Sequence, residues 1–161
     1  RGPIGARWQP STSSISANVP FGANVGATPD GRLAGEPLAD TTSPMHGTDT
    51  HGPTASLKSV SKLPTFLVSG GQLLNMKLNP GTVNTPGGKE KLISLIRSFL
   101  GDLKGMHIQF NIVDAQILRD AQKHPEQYKD LMVRVAGYSA LFAPLDKDLQ
   151  DDVISRTEHN L

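Results

Sequence analysis

The chain has 161 residues, sixteen basic and fifteen acidic side chains for a formal net charge of +1, and no cysteine. That length suits one compact core, and the charge balance argues against nucleic acid, whose partners usually carry a basic stripe. No apolar run approaches the ~18 residues that span a bilayer, and the missing cysteine excludes disulfides, thiolate metal sites and a thiol nucleophile within this chain.

In chain order, Arg1-Gly2-Pro3-Ile4-Gly5 has neither an apolar h-region nor a leading Met. It reads as an internal junction of a longer protein rather than a signal peptide, and the location expected is intracellular. Residues 1–53 are crowded with Gly, Pro, Ser, Thr and Asn. Within them Thr28-Pro29-Asp30-Gly31 is a turn, because Pro presets φ and Gly admits φ > 0. Ile15 to Val19 looks like a short strand, and Pro53 opens a helix over 53–60 as its N1 residue. Ordered loops packed on a larger body are expected here rather than a loose arm.

From residue 72 the pattern is regular. Leu73 to Asn79 alternates as a strand. Leu92, Leu95, Ile96, Phe99, Leu100 and Leu103 fall at helical spacing and stop at Gly105. His107 to Val113 alternates again, and Asp114 caps a helix carrying Ile117, Leu118 and Ala121 that His124-Pro125 closes. Strand, helix, strand, helix implies parallel pairing through a right-handed crossover. Two such strands do not cover both faces of a parallel sheet, so a slice of a bigger α/β structure is expected. Leu131 to Phe142 would pass for a buried strand but for Gly137, which marks a bulge or a close backbone approach. Asp146 caps a last helix with Leu149, Val153 and Ile154 on one face, running to Arg156-Thr157-Glu158-His159.

Arg134-Val135-Ala136-Gly137-Tyr138 resembles the radical-site motif of glycyl radical enzymes. Three further segments agree in order: Asn24 to Arg32 with Ala34 to Leu38; Ser43 to Gly47 with Asp49, Gly52 and Ser56 to Leu63; and Gln150 to Thr157. A five-residue match alone would be weak, but four ordered blocks cover nearly the whole chain. The resemblance is to the pyruvate formate-lyase-like family, nearest its glycerol/diol dehydratase, isethionate lyase and decarboxylase branch. It implies the last strands and helices of a ten-stranded β/α barrel plus the C-terminal radical loop and helix. That is not a self-sufficient barrel: residues 1–113 would supply the barrel portion and 114–161 the glycine radical domain.

Under this resemblance Gly137 stores the unpaired electron. Its α-carbon lies between an electron-donating amide nitrogen and a withdrawing carbonyl, and no side chain blocks the planar geometry. Arg134 and Tyr138 would hold the loop and meet the activating enzyme. Asn75, Gln109 and Asn111 are polar candidates facing the substrate, on alternating faces of the barrel strands. No cofactor binds in this chain; the radical is installed by an activase that uses S-adenosylmethionine and an iron–sulfur cluster. The family then needs a cysteine to carry a thiyl radical, and this chain has none. The expected partners are therefore the cysteine-bearing remainder of the enzyme, the activase and a small-molecule substrate whose C–O, C–S, C–N or C–C bond is cleaved. The full enzyme is expected as a homodimer in the cytoplasm of an anaerobe, free or inside a microcompartment. Two alternatives stay open: a stand-alone spare part for an oxygen-damaged enzyme, and a non-enzymatic binding module with a bulged strand. His46, Asp49 and His51 lie in a Gly/Thr-rich loop without an evident third ligand, so no metal site is assigned. Pro86-Gly87-Gly88-Lys89 lacks phosphate-loop spacing and reads as a turn feeding a helix.

Overall fold

A computed structural model describes Gly5 and residues 7–161. The rest of the opening segment, read above as an internal junction, lies outside the described residues. Helices α1 (Asn18–Ala23) and α2 (Pro53–Val60) punctuate the loop-rich first third, and α2 carries Pro at its start as expected. The strand expected at Ile15 to Val19 is not formed. Ile15 turns into the left-handed region at φ 55, and α1 takes the last two residues of that run. At Thr28 to Gly31 the turn is present: the Gly31 N–H donates to the Thr28 carbonyl at 3.1 Å, and Gly31 has φ 101.

Strand β1 (Asn75–Leu78) is followed by α3 (Pro80–Val83) and α4 (Pro86–Arg97). Thr85 caps α4 by accepting from the Gly88 N–H at 2.9 Å, so Pro86 to Lys89 is a helix start. The helix does not run cleanly to Gly105. It widens over Ser98–Asp102, where the Leu103 N–H reaches the Ser98 carbonyl five residues back at 2.9 Å. Gly105 then passes so close to Phe99 that a Cβ there would lie only 2.3 Å from the ring.

Strand β2 (Gln109–Ile112) pairs parallel with β1, as strand–helix–strand order demands. Asp114 caps α5 (Ala115–Lys123), accepting from the Gln116 N–H at 2.6 Å. The stretch from Leu131 to Phe142 corrects the expectation of a bulged strand. It is an antiparallel hairpin, β3 (Met132–Arg134) against β4 (Ser139–Leu141), with Val135 to Tyr138 as its connection. Four residues suffice to reverse the chain once Gly137 takes φ 77. Helix α6 (Lys147–Ser155) stops earlier than the sequence suggests. The residues after it extend and form β5 (Glu158–His159), which pairs parallel with β1 on the side opposite β2. The sheet order is β2-β1-β5.

Two cores flank this sheet. Leu74, just before β1, and Met76 and Leu78 within it pack with Leu57, Val60, Val83 and Phe99. On the other side Val113, Leu118 and Ala121 meet Val133, Val135, Phe142 and Val153, so the hairpin is clamped between β2, α5 and α6. Helix α5 gives a sharp test of this packing. Leu118 is fully buried whereas its neighbour Ile117 is 42% exposed. Leu118→Ala should cost about 2–5 kcal/mol and Ile117→Ala less than about 0.5 kcal/mol, read from chemical denaturation midpoints. Equal losses would mean that α5 is rotated from the orientation described.

Candidate functional site

A parallel strand buried on both faces usually reads apolar throughout. Here one face of the sheet is polar. The pairing sets Asn75 opposite Gln109 and Lys77 opposite Asn111, so all four side chains lie on the same face. This corrects the expectation of alternating faces. The hairpin sits over that face, and its polar groups find their partners there.

Asn111 holds Arg134 as a missing strand would. Its Oδ1 accepts from the Arg134 N–H at 2.7 Å while its Nδ2 donates to the Arg134 carbonyl at 2.6 Å. Gln109 Oε1 accepts from Arg134 Nε at 2.6 Å, and Gln109 Nε2 donates to Asn75 Oδ1. Asn75 Nδ2 in turn donates to Asp40 Oδ2 at 2.5 Å. Two of the expected site residues, Asn75 and Gln109, thus form a chain of amides ending on the Arg134 side chain, and the third, Asn111, holds its backbone. Each of their side chains is engaged with protein rather than left free for a ligand. Arg134 Nη1 donates to Ser139 Oγ at 3.2 Å across the hairpin, and among the described residues the guanidinium pairs with no carboxylate.

Gly137 stands at the tip of this arrangement. It is exposed, as are Tyr138 and Ser139, while Val135 and Ala136 just before it are buried. The turn closes with the Val135 N–H donating to the Tyr138 carbonyl at 2.9 Å. A Cβ on Gly137 would lie 3.3 Å from Leu73 Cδ1, and φ 77 would strain any L side chain. Glycine is therefore required by the backbone before any chemistry is considered. Tyr138 makes no side-chain hydrogen bond among the described residues and is 37% exposed.

Sequence reasoning missed four buried charged groups near this site, Arg156, Asp152, Asp40 and Lys77. Arg156 donates from Nη1 to the Val135 carbonyl at 2.7 Å and pairs through Nη2 with Asp152 at 3.0 Å and Asp40 at 3.3 Å. Burial pushes the Asp40 carboxyl above its ordinary range, and Arg156 only partly opposes this. Lys77, 2% exposed, donates from Nζ to the Ile154 carbonyl at 2.8 Å. Burial lowers it to about 8 against the pull of Glu158. The available signals were a Lys inside an apolar alternation and an Arg just after a helix, neither specific. His46 Nδ1 lies 2.9 Å from Ser155 Oγ, and burial lowers its basicity despite Asp152. Asp49 bonds to Thr157 and to His159 Nε2 at 2.9 Å, and His51 lies beside Thr50. These side chains tie the 46–51 loop mainly to the segment after α6. Among the described residues no group of three or more His, Cys, Asp or Glu gathers to hold a metal.

A family model described as "Glycine radical" matches residues 38–143. It spans the Asp40 segment, the polar strands and the hairpin with Gly137. The chain belongs to the glycine radical family. It is 59% identical over all 161 residues to the probable dehydratase YbiW of Escherichia coli, covering 20% of that protein. It is 48% identical over 157 residues to the isethionate sulfite-lyase of Bilophila wadsworthia, covering 18% of it. Among solved structures, the glycerol-bound B12-independent glycerol dehydratase from Clostridium butyricum superposes with a TM-score of 0.96 at 53% identity over the whole chain and 20% of its own length. A glycyl radical enzyme from Archaeoglobus fulgidus gives 0.91 at 38% identity, over 98% of this chain and 20% of its own. The chain thus spans about a fifth of the relatives it matches and forms a mixed α/β unit corresponding to their C-terminal part.

Lys77 offers a pH test of the polar face. Its folded value near 8 lies below the ordinary 10.5. Between those values the unfolded chain binds more protons, so Lys77 makes stability rise from pH 8 to 10.5, with its penalty complete below 8. Lys77→Met should remove that rise, seen as a flatter denaturation midpoint against pH. Parallel profiles for the two proteins would show that Lys77 is not desolvated as described.

Proposed function

We propose that this chain is the radical-bearing C-terminal part of a glycyl radical lyase, with Gly137 storing the unpaired electron. One observation carries the reading: within a glycine radical family match, Gly137 occupies an exposed, positive-φ hairpin tip whose preceding backbone is held by hydrogen bonds from Asn111 and Arg156. A bulge glycine in a buried strand would offer no such access. Residues 1–113 contribute the last strands of a ten-stranded barrel, and residues 114–161 form the radical domain around the hairpin.

The chemistry requires a second chain segment. The Gly137 radical takes a hydrogen atom from a cysteine thiol, and the resulting thiyl radical takes one from the substrate. No cysteine is present among the 161 residues, so the thiol comes from the remainder of the enzyme, which acts as a homodimer. An activase using S-adenosylmethionine and an iron–sulfur cluster first removes a Gly137 α-hydrogen, which the exposed hairpin tip would permit after local opening. Arg134 ties the hairpin to Gln109, while exposed Tyr138 offers a contact for the activase. Asn75, Gln109 and Asn111 support the loop rather than bind substrate, since each is already bonded to protein. The favoured substrate class is a small vicinal diol or polyol that loses water through C–O cleavage. The likeness to a glycerol dehydratase and to a structure concerned with 1,2-propanediol dehydration, at 53% and 54% identity, supports this over C–S or C–C cleavage. Similarity along the whole chain, including residues before the family match at 38, favours one continuous enzyme over a spare part. An oxygen-labile radical suits an anaerobe, and the cytoplasm is the location proposed.

The test is anaerobic electron paramagnetic resonance of the complete enzyme after incubation with its activase. A glycine-type doublet should appear, collapse when glycine is deuterated at the α-carbon, and be absent in Gly137→Ala, with dehydration of glycerol or 1,2-propanediol following the signal. No doublet from a complete enzyme with a competent activase would remove the proposal. Binding that survives Gly137→Ala without any radical would favour the non-enzymatic module.

A further inference from the structure

We propose that Arg156 is the positioning residue that latches the Gly137 turn in its docked state, with Asp40 and Asp152 as its fixed counter-charges. The inference rests on Gly137 being the radical site and names what holds it in place. Arg156 is 7% exposed. Its Nη1 reaches the carbonyls of Val135 at 2.7 Å and Arg134 at 3.3 Å, the residues two and three before Gly137. Its Nη2 faces Asp152 Oδ2 at 3.0 Å and Asp40 Oδ2 at 3.3 Å.

The two carboxylates arrive from different places. Asp152 lies one turn earlier on α6, whereas Asp40 belongs to the segment that crosses the start of β1. That segment is itself fastened. Thr41 Oγ1 donates to the Leu73 carbonyl at 2.7 Å, Thr42 N–H donates to the same carbonyl at 3.1 Å, and Ser43 Oγ accepts from the Asn75 N–H at 3.0 Å. Thr41, a β-branched residue, is held at φ 56, a conformation that persists only where the surroundings over-determine it. The same segment therefore supports Leu73, which lines the Gly137 α-carbon, and Asp40, which aims Arg156 at the turn. Position and hold come from one strap.

The arrangement also explains how the turn is released. When the hairpin leaves, Arg156 loses two carbonyl acceptors but keeps both carboxylates. No buried charge is left unpaired, so undocking breaks hydrogen bonds without exposing an orphan ion. A guanidinium suits this task because its planar fork serves carbonyls and carboxylates together, which a lysine ammonium does not.

The experiment compares wild type, Arg156→Lys and Arg156→Gln in the complete enzyme. Hydrogen exchange before activation reads the latch directly. Amides of 132–142 should exchange roughly tenfold faster in Arg156→Lys, and faster again in Arg156→Gln, with β1 and β2 unchanged. After activation, radical yield per chain should hold or rise while turnover per unpaired spin falls, with Lys intermediate between Gln and wild type. Unchanged exchange in 132–142 would overturn the latch, as would acceleration spread equally over β1 and β2, the sign of general loosening that Arg156→Lys is conservative enough to avoid. Selective acceleration in an enzyme whose wild type shows no glycine doublet would keep the latch and sink the radical reading, so the two failures are separable.

Discussion

The backbone on the N-terminal side of Gly137 has polar groups that no strand pairs. Arg134 and Val135 turn carbonyls toward the sheet's polar face, and Arg134 turns an N–H there as well. Buried backbone groups left unpaired cost free energy comparable to a lost hydrogen bond each. The surrounding structure is arranged to answer that need. Asn111 supplies an amide that both accepts and donates, and Arg156 supplies a cation between two carboxylates. Once these are in place, the chain can reverse at Gly137 without a long sheet behind it.

This constraint accounts for the unusual division of the sheet. The face carrying Leu74, Met76 and Leu78 packs as an ordinary core under α2 and the widened end of α4. The opposite face gives up apolar contact for a polar circuit running from Asp40 through Asn75 and Gln109 to Arg134. An apolar replacement would pack as well, and buried ion pairs such as Arg156 with Asp40 and Asp152 contribute little net stability against a hydrophobic isostere. What the polar version supplies is direction, since each amide and guanidinium fixes the hairpin in one register. Removing one partner would still be expensive, at about 3–5 kcal/mol for a buried ion pair.

Much of this was legible in the sequence. Alternation at 73–79 and 107–113 predicted β1 and β2, Asp114 predicted the α5 cap, and helix between strands predicted parallel pairing. The five residues around Gly137 with three ordered blocks pointed to the family. What was hidden depended on contacts distant in sequence. β5 is two residues long, and its strand character comes from pairing with β1 some eighty residues earlier. The hairpin looked like one strand because Val133, Val135, Ala140 and Phe142 are apolar on both arms; only the left-handed φ at Gly137 separates them. Arg156 read as part of a helix end, since nothing local reveals that Asp40, 116 positions away, faces it.

The same logic bears on the residues next to Gly137, which are buried before it and exposed after it. Before Gly137, Val135 and Ala136 are buried and Arg134 is clasped from outside the hairpin; after it, Tyr138 and Ser139 are exposed and tied back to the first arm of the hairpin. Such a turn is hinged unevenly. The Tyr138 side is bonded back to the hairpin's own first arm, while the Arg134 side is bonded to Asn111 and Arg156 outside the hairpin. On the proposed function this asymmetry is useful, because a radical site must be presented to an activating partner and then returned to one position. A symmetrical loop, loose on both arms, would present Gly137 easily but would not define where it comes to rest. A loop buried on both arms would rest reproducibly but would not open. Polar clasps on one arm and exposure on the other give both properties to a four-residue connection.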